Sequence, residues 1–162
     1  KFKGLLYAGL MIRGREFWVL EFNSRFGDPE TQAILPRLSS DLLPLLWGIA
    51  TGSFETNIEA NPLRFLDEAC VNIVAASKGY PERPEVGFDI QGKLNPTISQ
   101  VFFAGVKQKD NHLVNSGGRV LSVSSLGVSL EEARERSIEA LKSIHFEGMQ
   151  YRQDIGRIRP GY

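Results

Sequence analysis

Between Leu20 and Glu30 the chain reads Leu20-Glu21-Phe22-Asn23-Ser24-Arg25-Phe26-Gly27-Asp28-Pro29-Glu30, with three carboxylates, one carboxamide and one guanidinium close together after an apolar run. Glu21 and Asn23 are two apart, and on a strand residues i and i+2 project to the same face. A carboxylate and an amide oxygen side by side can hold a hard cation such as Mg²⁺, which prefers oxygen ligands and usually arrives with substrate phosphates. Asp28 and Glu30 follow on a Gly-Asp-Pro turn at the strand's exit, where α/β folds tend to place their chemistry. The expectation is a metal–nucleotide site.

The elements that must position these groups can be read from periodicity. Residues 4–12 and 16–22 are apolar runs separated by Arg13-Gly14-Arg15, which predicts an antiparallel hairpin. Strict alternation puts Phe17, Val19 and Glu21 on one face and Trp18, Leu20 and Phe22 on the other. A strand apolar on both faces is usually buried, so Glu21 is expected to border a core, and a bordering acid calls for a cation. Residues 30–51 read as helix, with Asp28 as N-cap and Pro29 at the first helical position, an interruption at Pro36, a restart near Ser40 or Asp41 and a stop at Gly52. The polar stretch 53–66 reads as a connection, residues 68–76 as a strand, and the following Pro/Gly-marked segment to about Pro96 as irregular. Residues 101–106 and 113–114 are expected to pair across Asp110-Asn111, and 118–124 to add a strand. Ser129 with Glu132 forms a capping box, opening a helix from Leu130 to about Ile144 along Leu130, Ala133, Ile138, Leu141 and Ile144. The fold class is α+β, with one unit over 1–64 and a smaller strand-rich unit closed by one helix over 65–162.

Composition narrows the chemistry. A 42% hydrophobic and 23% charged chain is that of a soluble globular protein. No apolar run approaches the roughly 20 residues of a membrane span. A formal net charge of zero argues against nucleic acid as the main partner, despite a locally basic tail from Tyr151 to Arg159. The single cysteine, Cys70, excludes an intramolecular disulfide and a zinc–thiolate cluster, reads as a small core residue, and fits a reducing cytoplasm. His112, in a turn, and His145, at the C-terminal end of the last helix, have no partner at metal-ligand spacing. The first residue is Lys1, and the apolar pattern starts at once, so the chain is expected to be a piece of a longer protein.

A set of collinear motifs covers nearly the whole chain. They are Gly4-Leu5-Leu6-Tyr7-Ala8-Gly9-Leu10-Met11, the run Leu20 to Glu30, Leu35-Pro36-Arg37-Leu38 and Ser39-Ser40-Asp41-Leu42. Further along come Ala76-Ser77-Lys78-Gly79-Tyr80-Pro81, Ser116-Gly117-Gly118-Arg119-Val120-Leu121, and the run Ile144 to Gly156. Together these motifs resemble the glycinamide ribonucleotide synthetase family: the first group is similar to the end of its ATP-grasp region, the second to its small C-terminal domain. The resemblance implies a cytoplasmic ligase of de novo purine synthesis that joins glycine to 5-phosphoribosylamine and cleaves ATP to ADP and phosphate through an acyl phosphate.

Carried over by motif, Glu21 and Asn23 would ligate Mg²⁺ or Mn²⁺ and so bind the nucleotide, and Arg25 would hold the transferring phosphoryl group. Asp28 would orient the amine or the ribose, with Pro29 beside it against substrate. Gly117 and Gly118 would offer backbone N–H groups at the substrate rim, with Arg119 toward the ribose phosphate. Bland readings stand beside these: a tight turn at Ser116–Gly118, a surface arginine at 119, a first-turn acid at Glu30. Ser24 stands where the family more often has cysteine, and Phe103 where histidine is expected, which leaves no titratable group there. The family's glycine-rich phosphate-covering loop and the lysines of its first lobe have no counterpart in this chain, so the expected partner is the missing N-terminal part of the same protein, and the 162 residues alone are expected to be inactive. Another ATP-grasp carboxylate–amine ligase and a non-catalytic binding module of the same fold are the competing expectations.

Overall fold

The structure is a computed structural model that describes residues 2–94 and 97–157; Lys1, Pro96 and the end of the basic tail, Ile158 and Arg159, lie outside the described residues. Its contacts divide into two units: the chain up to Thr31 with Leu38–Leu66, and Gln32–Arg37 with the chain from Asp67 onward. Helix and strand are mixed, in agreement with an α+β class.

The first unit opens with the hairpin β1 (Tyr7–Arg13) and β2 (Glu16–Asn23), joined by a turn in which Gly14 has φ 61°. Its register contains one irregularity: Gly9 faces Glu21 while Leu10 faces Val19, which leaves Leu20 as an extra residue. The bulge corrects the face assignment that strict alternation predicts. Glu21 and Asn23 lie opposite Gly9 and Tyr7, on the face that carries Trp18 and Met11, whereas Phe22 joins Phe17 and Val19. A second correction concerns burial. Nearly every β2 residue is exposed, with Phe17 65% and Phe22 62% accessible.

The helical prediction after β2 also changes. The Asp28–Pro29 peptide is cis, and the helix starts later, as α1 (Thr31–Ile34), with the Thr31 N–H donating to Gly27 O at 3.1 Å. Asp28 and Pro29 therefore form the turn before the helix instead of capping it. A 3₁₀ turn over Leu35–Arg37 absorbs Pro36, and α2 (Leu43–Thr51) begins with Pro44 in its first turn and ends on Gly52 at φ 85°. The expected connection holds a further helix, α3 (Phe54–Ala60), anchored by Asn57 Nδ2 donating to Ser53 O at 2.8 Å. Its largely exposed surface leaves no apolar stripe to read.

The second unit holds two four-stranded antiparallel sheets. One orders Gln150–Tyr151 (β10), β3 (Ala69–Ala76), β8 (Arg119–Gly127) and β5 (Ser99–Phe103). The other orders β6 (Val106–Lys109), β7 (His112–Asn115), β4 (Asp89–Gly92) and Ile144–His145 (β9). The run 101–106 is thus two strands in different sheets, and the predicted hairpin is β6–β7 around Asp110. β4 is four residues inside a segment read as irregular; its pairing with β7 and β9 is tertiary and leaves no local pattern.

Helix α4 (Leu130–Lys142) has the predicted cap: Ser129 Oγ accepts from the Glu132 N–H at 3.2 Å, and the Glu132 carboxylate accepts from the Val128 N–H at 2.7 Å. Its Ala133 and Leu141 pack into a core with Val71, Ile73, Val123 and Phe146. Leu130 is 42% exposed, and a serine occupies the buried stripe instead: Ser137 donates to Val71 O at 2.8 Å. Ile144 and His145 lie on β9, beyond the helix, so His145 is not a last-turn residue. Cys70 on β3 is half-buried, and that burial raises its thiol pKa, with Arg37 acting the other way.

Leu141→Ala is expected to lower unfolding free energy by about 2–5 kcal/mol, and Ser129→Ala by about 1 kcal/mol. Urea titration followed by far-ultraviolet circular dichroism reads both.

Candidate functional site

The hairpin and its exit turn gather one group of predicted residues within the first unit. Glu21 and Asn23 are joined, Asn23 Nδ2 donating to Glu21 Oε1 at 2.9 Å. The bulge places both on one face, and Gly9 opposite makes room: a Cβ there would sit 3.2 Å from Glu21 Cγ. Neither side chain is sealed under packing, since Glu21 is exposed and Asn23 half-buried. That bond engages one Glu21 oxygen and the Asn23 amide nitrogen. The second carboxylate oxygen and the amide oxygen give a hard-cation donor pair.

Among the described residues no three His, Cys, Asp or Glu side chains cluster as a metal site. Two oxygen ligands of one protein segment, with phosphates and water completing the shell, is a Mg²⁺ arrangement, so the donor set fits a nucleotide-borne cation better than a closed protein cage.

Tyr7, directly across from Asn23, was not singled out by the sequence reading. Its phenol sits against Glu30. Partial burial first, then the Glu30 charge and hydrogen bond, then Glu21, push its pKa above the ordinary value, with Arg25 opposing. Gly27 is buried between these groups; a Cβ on it would lie 2.5 Å from Glu30 Oε2 and 3.1 Å from the Tyr7 ring. Glu30 therefore closes the turn onto Tyr7. Thr31 Oγ donates to Gly27 O at 2.5 Å and fixes the same turn. Arg25 Nη1 donates to Phe26 O at 2.8 Å, which engages one of the guanidinium's five N–H donors. The alternation of Tyr7 with Gly9 opposite the acidic face was the available signal for Tyr7, but it requires the bulge to be known.

Gly117, Gly118 and Arg119 belong to the second unit, where the two glycines lie in the connection from β7 to β8 and Arg119 opens β8. Gly105, in the connection between β5 and β6, braces it from both ends: the Ser116 N–H donates to Gly105 O at 2.7 Å, and the Gly105 N–H to Arg119 O at 2.9 Å. Gly118 is required by close approach, because a Cβ there would collide with the Tyr80 ring. Ser77 meets the turn twice, its N–H donating to Gly118 O at 2.8 Å and its Oγ to Gly117 O at 2.8 Å. Ser77 in turn accepts from Asn115 Nδ2 at 2.8 Å. Ser77 and Asn115 are 0% and 1% exposed. Ser77 stands in the motif Ala76–Pro81, whereas Asn115 has no local signal, because its role depends on contacts 27 to 38 residues distant. His112 lies on β7 with Nε2 3.2 Å from Asp89 Oδ1, and Phe103 is half exposed on β5 opposite Leu121.

Comparison with known proteins gives a consistent result. The family model described as phosphoribosylglycinamide synthetase, C domain, matches residues 70–158, and that described as phosphoribosylglycinamide synthetase, ATP-grasp (A) domain, matches residues 1–31. A phosphoribosylamine–glycine ligase of Caldanaerobacter subterraneus subsp. tengcongensis is 45% identical over 154 residues, covering 95% of this chain and 36% of the relative. One of Streptomyces coelicolor is 46% identical over 160 residues, covering 95% and 38%. The crystal structure of a phosphoribosylamine–glycine ligase from Thermotoga maritima matches with TM-score 0.77 and 37% identity, over 92% of this chain and 36% of that one. The chain thus spans little more than a third of the length of these relatives.

The Tyr7 phenol has a pH consequence. Its folded pKa is raised, so its contribution to stability is present below the unfolded value of 10.0 and is lost as pH rises through the folded one. Phenolate absorbance of the protein minus that of Tyr7→Phe is expected to titrate above 10.0, and Glu30→Gln to bring the midpoint down without abolishing the shift that burial causes.

Proposed function

This chain belongs to the phosphoribosylglycinamide synthetase (phosphoribosylamine–glycine ligase) family, and on that premise we propose that it is the C-terminal part of an ATP-dependent ligase joining glycine to 5-phosphoribosylamine in cytoplasmic purine synthesis. The division of labour follows the expected domains, with residues 1–64 completing the ATP-grasp region and 65–162 forming the small C-terminal domain. The single observation that carries the reading is the Glu21–Asn23 pair, held side by side and accessible on the bulged hairpin.

In the reaction a glycine carboxylate oxygen attacks the terminal phosphorus of ATP, ADP leaves, and an acyl phosphate forms. The amine nitrogen of phosphoribosylamine then attacks the acyl carbon, phosphate departs and the amine loses a proton. Glu21 and Asn23 would hold a Mg²⁺ or Mn²⁺ ion, which would supply charge neutralisation on the phosphates. Arg25, whose Nη1 donates to Phe26 O, binds the transferring phosphoryl oxygens through the rest of its planar fork. Asp28, on the fixed turn beside Pro29, orients the amine, and Pro29 shapes the floor beneath it. The Gly117–Gly118 turn and Arg119 take the ribose phosphate, backbone N–H groups and a guanidinium both being suited to that anion.

Relatives named phosphoribosylamine–glycine ligase extend well beyond the length matched here, so ATP and phosphate-loop contacts from the rest of the protein are part of the proposal. In the full-length ligase, Glu21→Ala and Asn23→Ala are each expected to lower kcat/KM about a hundredfold or more. The 162 residues alone are expected to show no turnover. Steady-state assays of ADP release check both; full activity in either variant removes the metal assignment.

A further inference from the structure

The Gly117–Gly118 turn is clamped from one side by two buried polar residues that no part of the proposed chemistry uses. Ser77 pins two successive carbonyls, Gly117 O and Gly118 O, each at 2.8 Å. A trans peptide is planar, with its C=O and N–H pointing in opposite directions. The Gly118 N–H shares a plane with the Gly117 carbonyl, so holding that carbonyl on Ser77 aims the N–H away from Ser77. The hydroxyl is itself directed. Asn115 Nδ2 donates to Ser77 Oγ at 2.8 Å, which occupies an acceptor position and turns the O–H toward Gly117 O. Asn115 has no rotational freedom left, because its other amide hydrogen goes to Glu85 O at 2.9 Å and its Oδ1 accepts from the Phe88 N–H at 2.7 Å. At 0% and 1% exposure neither residue exchanges these partners with water.

We propose that Ser77 and Asn115 are positioning residues for the phosphate-bearing substrate: they fix the Gly117–Gly118 peptide plane so that the Gly118 N–H faces the ribose phosphate of phosphoribosylamine. The proposal rests on the reading of that turn as the phosphate rim. It assigns the pair no contact with substrate. It makes the affinity for one substrate depend on an internal hydrogen-bond relay, while the affinities for ATP and glycine do not.

The test uses the full-length ligase, assayed well below the melting temperature of each variant. Ser77→Ala removes the hydroxyl and keeps the backbone bond to Gly118 O. Asn115→Asp removes both amide donors and keeps the acceptor for the Phe88 N–H, so it serves if Ser77→Ala folds poorly. Each is expected to raise KM for phosphoribosylamine roughly tenfold, with kcat and the KM values for ATP and glycine within about twofold of the parent. Leu141→Ala, a core variant of the same unit, is expected to lower the melting temperature and leave that KM unmoved. An unchanged KM for phosphoribosylamine in Ser77→Ala and Asn115→Asp, with a raised KM in Arg119→Ala, overturns the relay and leaves the rim reading standing. An unchanged KM in all three overturns both. An equal rise in Leu141→Ala also overturns the relay, because lost stability alone then accounts for the effect.

Discussion

One extra residue in a strand decides where the acidic chemistry of this protein points. Leu20 is unpaired in the β1–β2 register, and its insertion turns Glu21 and Asn23 onto the face shared with Gly9 and Tyr7. Without it, strict alternation would send the carboxylate to the side of Phe17 and Val19. The rest of the first site follows from that switch. Gly9 leaves space for the Glu21 stem, Asn23 reaches Glu21, and Tyr7 closes on Glu30 across the Gly27 turn. β-bulges are concentrated where a side chain must be re-aimed, and this one lies within three residues of both proposed ligands.

The second unit solves a similar problem by other means. Its Gly-Gly turn has no side chain with which to hold itself. Orientation is imposed from outside by Ser77, Asn115 and the Tyr80 ring, and the buried hydrogen bonds are satisfied within the cluster. Apolar packing of α4 on β3 and β8 provides the frame, and Ser137 shows that a polar residue is admitted to that interface when it finds a carbonyl, here Val71 O. The proposed metal-binding edge and the proposed anion-binding turn thus have opposite constructions: the former uses exposed side chains re-aimed by backbone irregularity, the latter exposes backbone held by buried side chains.

What could be read from the residues depended on how local the cause was. The Arg13–Glu16 turn of the hairpin, the Gly52 stop and the Ser129–Glu132 cap each rest on interactions within four residues, and each is found where the sequence places it. The faces of β2 were misassigned because a bulge is set by register with the partner strand, which alternation in one strand does not report. α3 went unread because a solvent-covered helix needs no apolar stripe, and β4 because its partners are distant in sequence. The apolar composition of β2 suggested burial, and the hairpin faces are exposed. Glu21, Asn23 and Arg25 are legible in the sequence as a polar cluster at a strand exit, and the structure joins the first two by a hydrogen bond. Tyr7 and Asn115 were not, since nothing local distinguishes them from an ordinary strand tyrosine and a strand-end asparagine.

The most direct test of the account is the position of the divalent ion in a crystal structure of the full-length ligase with Mg²⁺ and a non-hydrolysable ATP analogue. The account predicts a Glu21 carboxylate oxygen and the Asn23 amide oxygen both at about 2.0–2.1 Å from an ion that also touches the analogue's phosphates. An ion coordinated only by phosphates and other residues, with Asn23 still donating to Glu21 and neither oxygen in its shell, would contradict it.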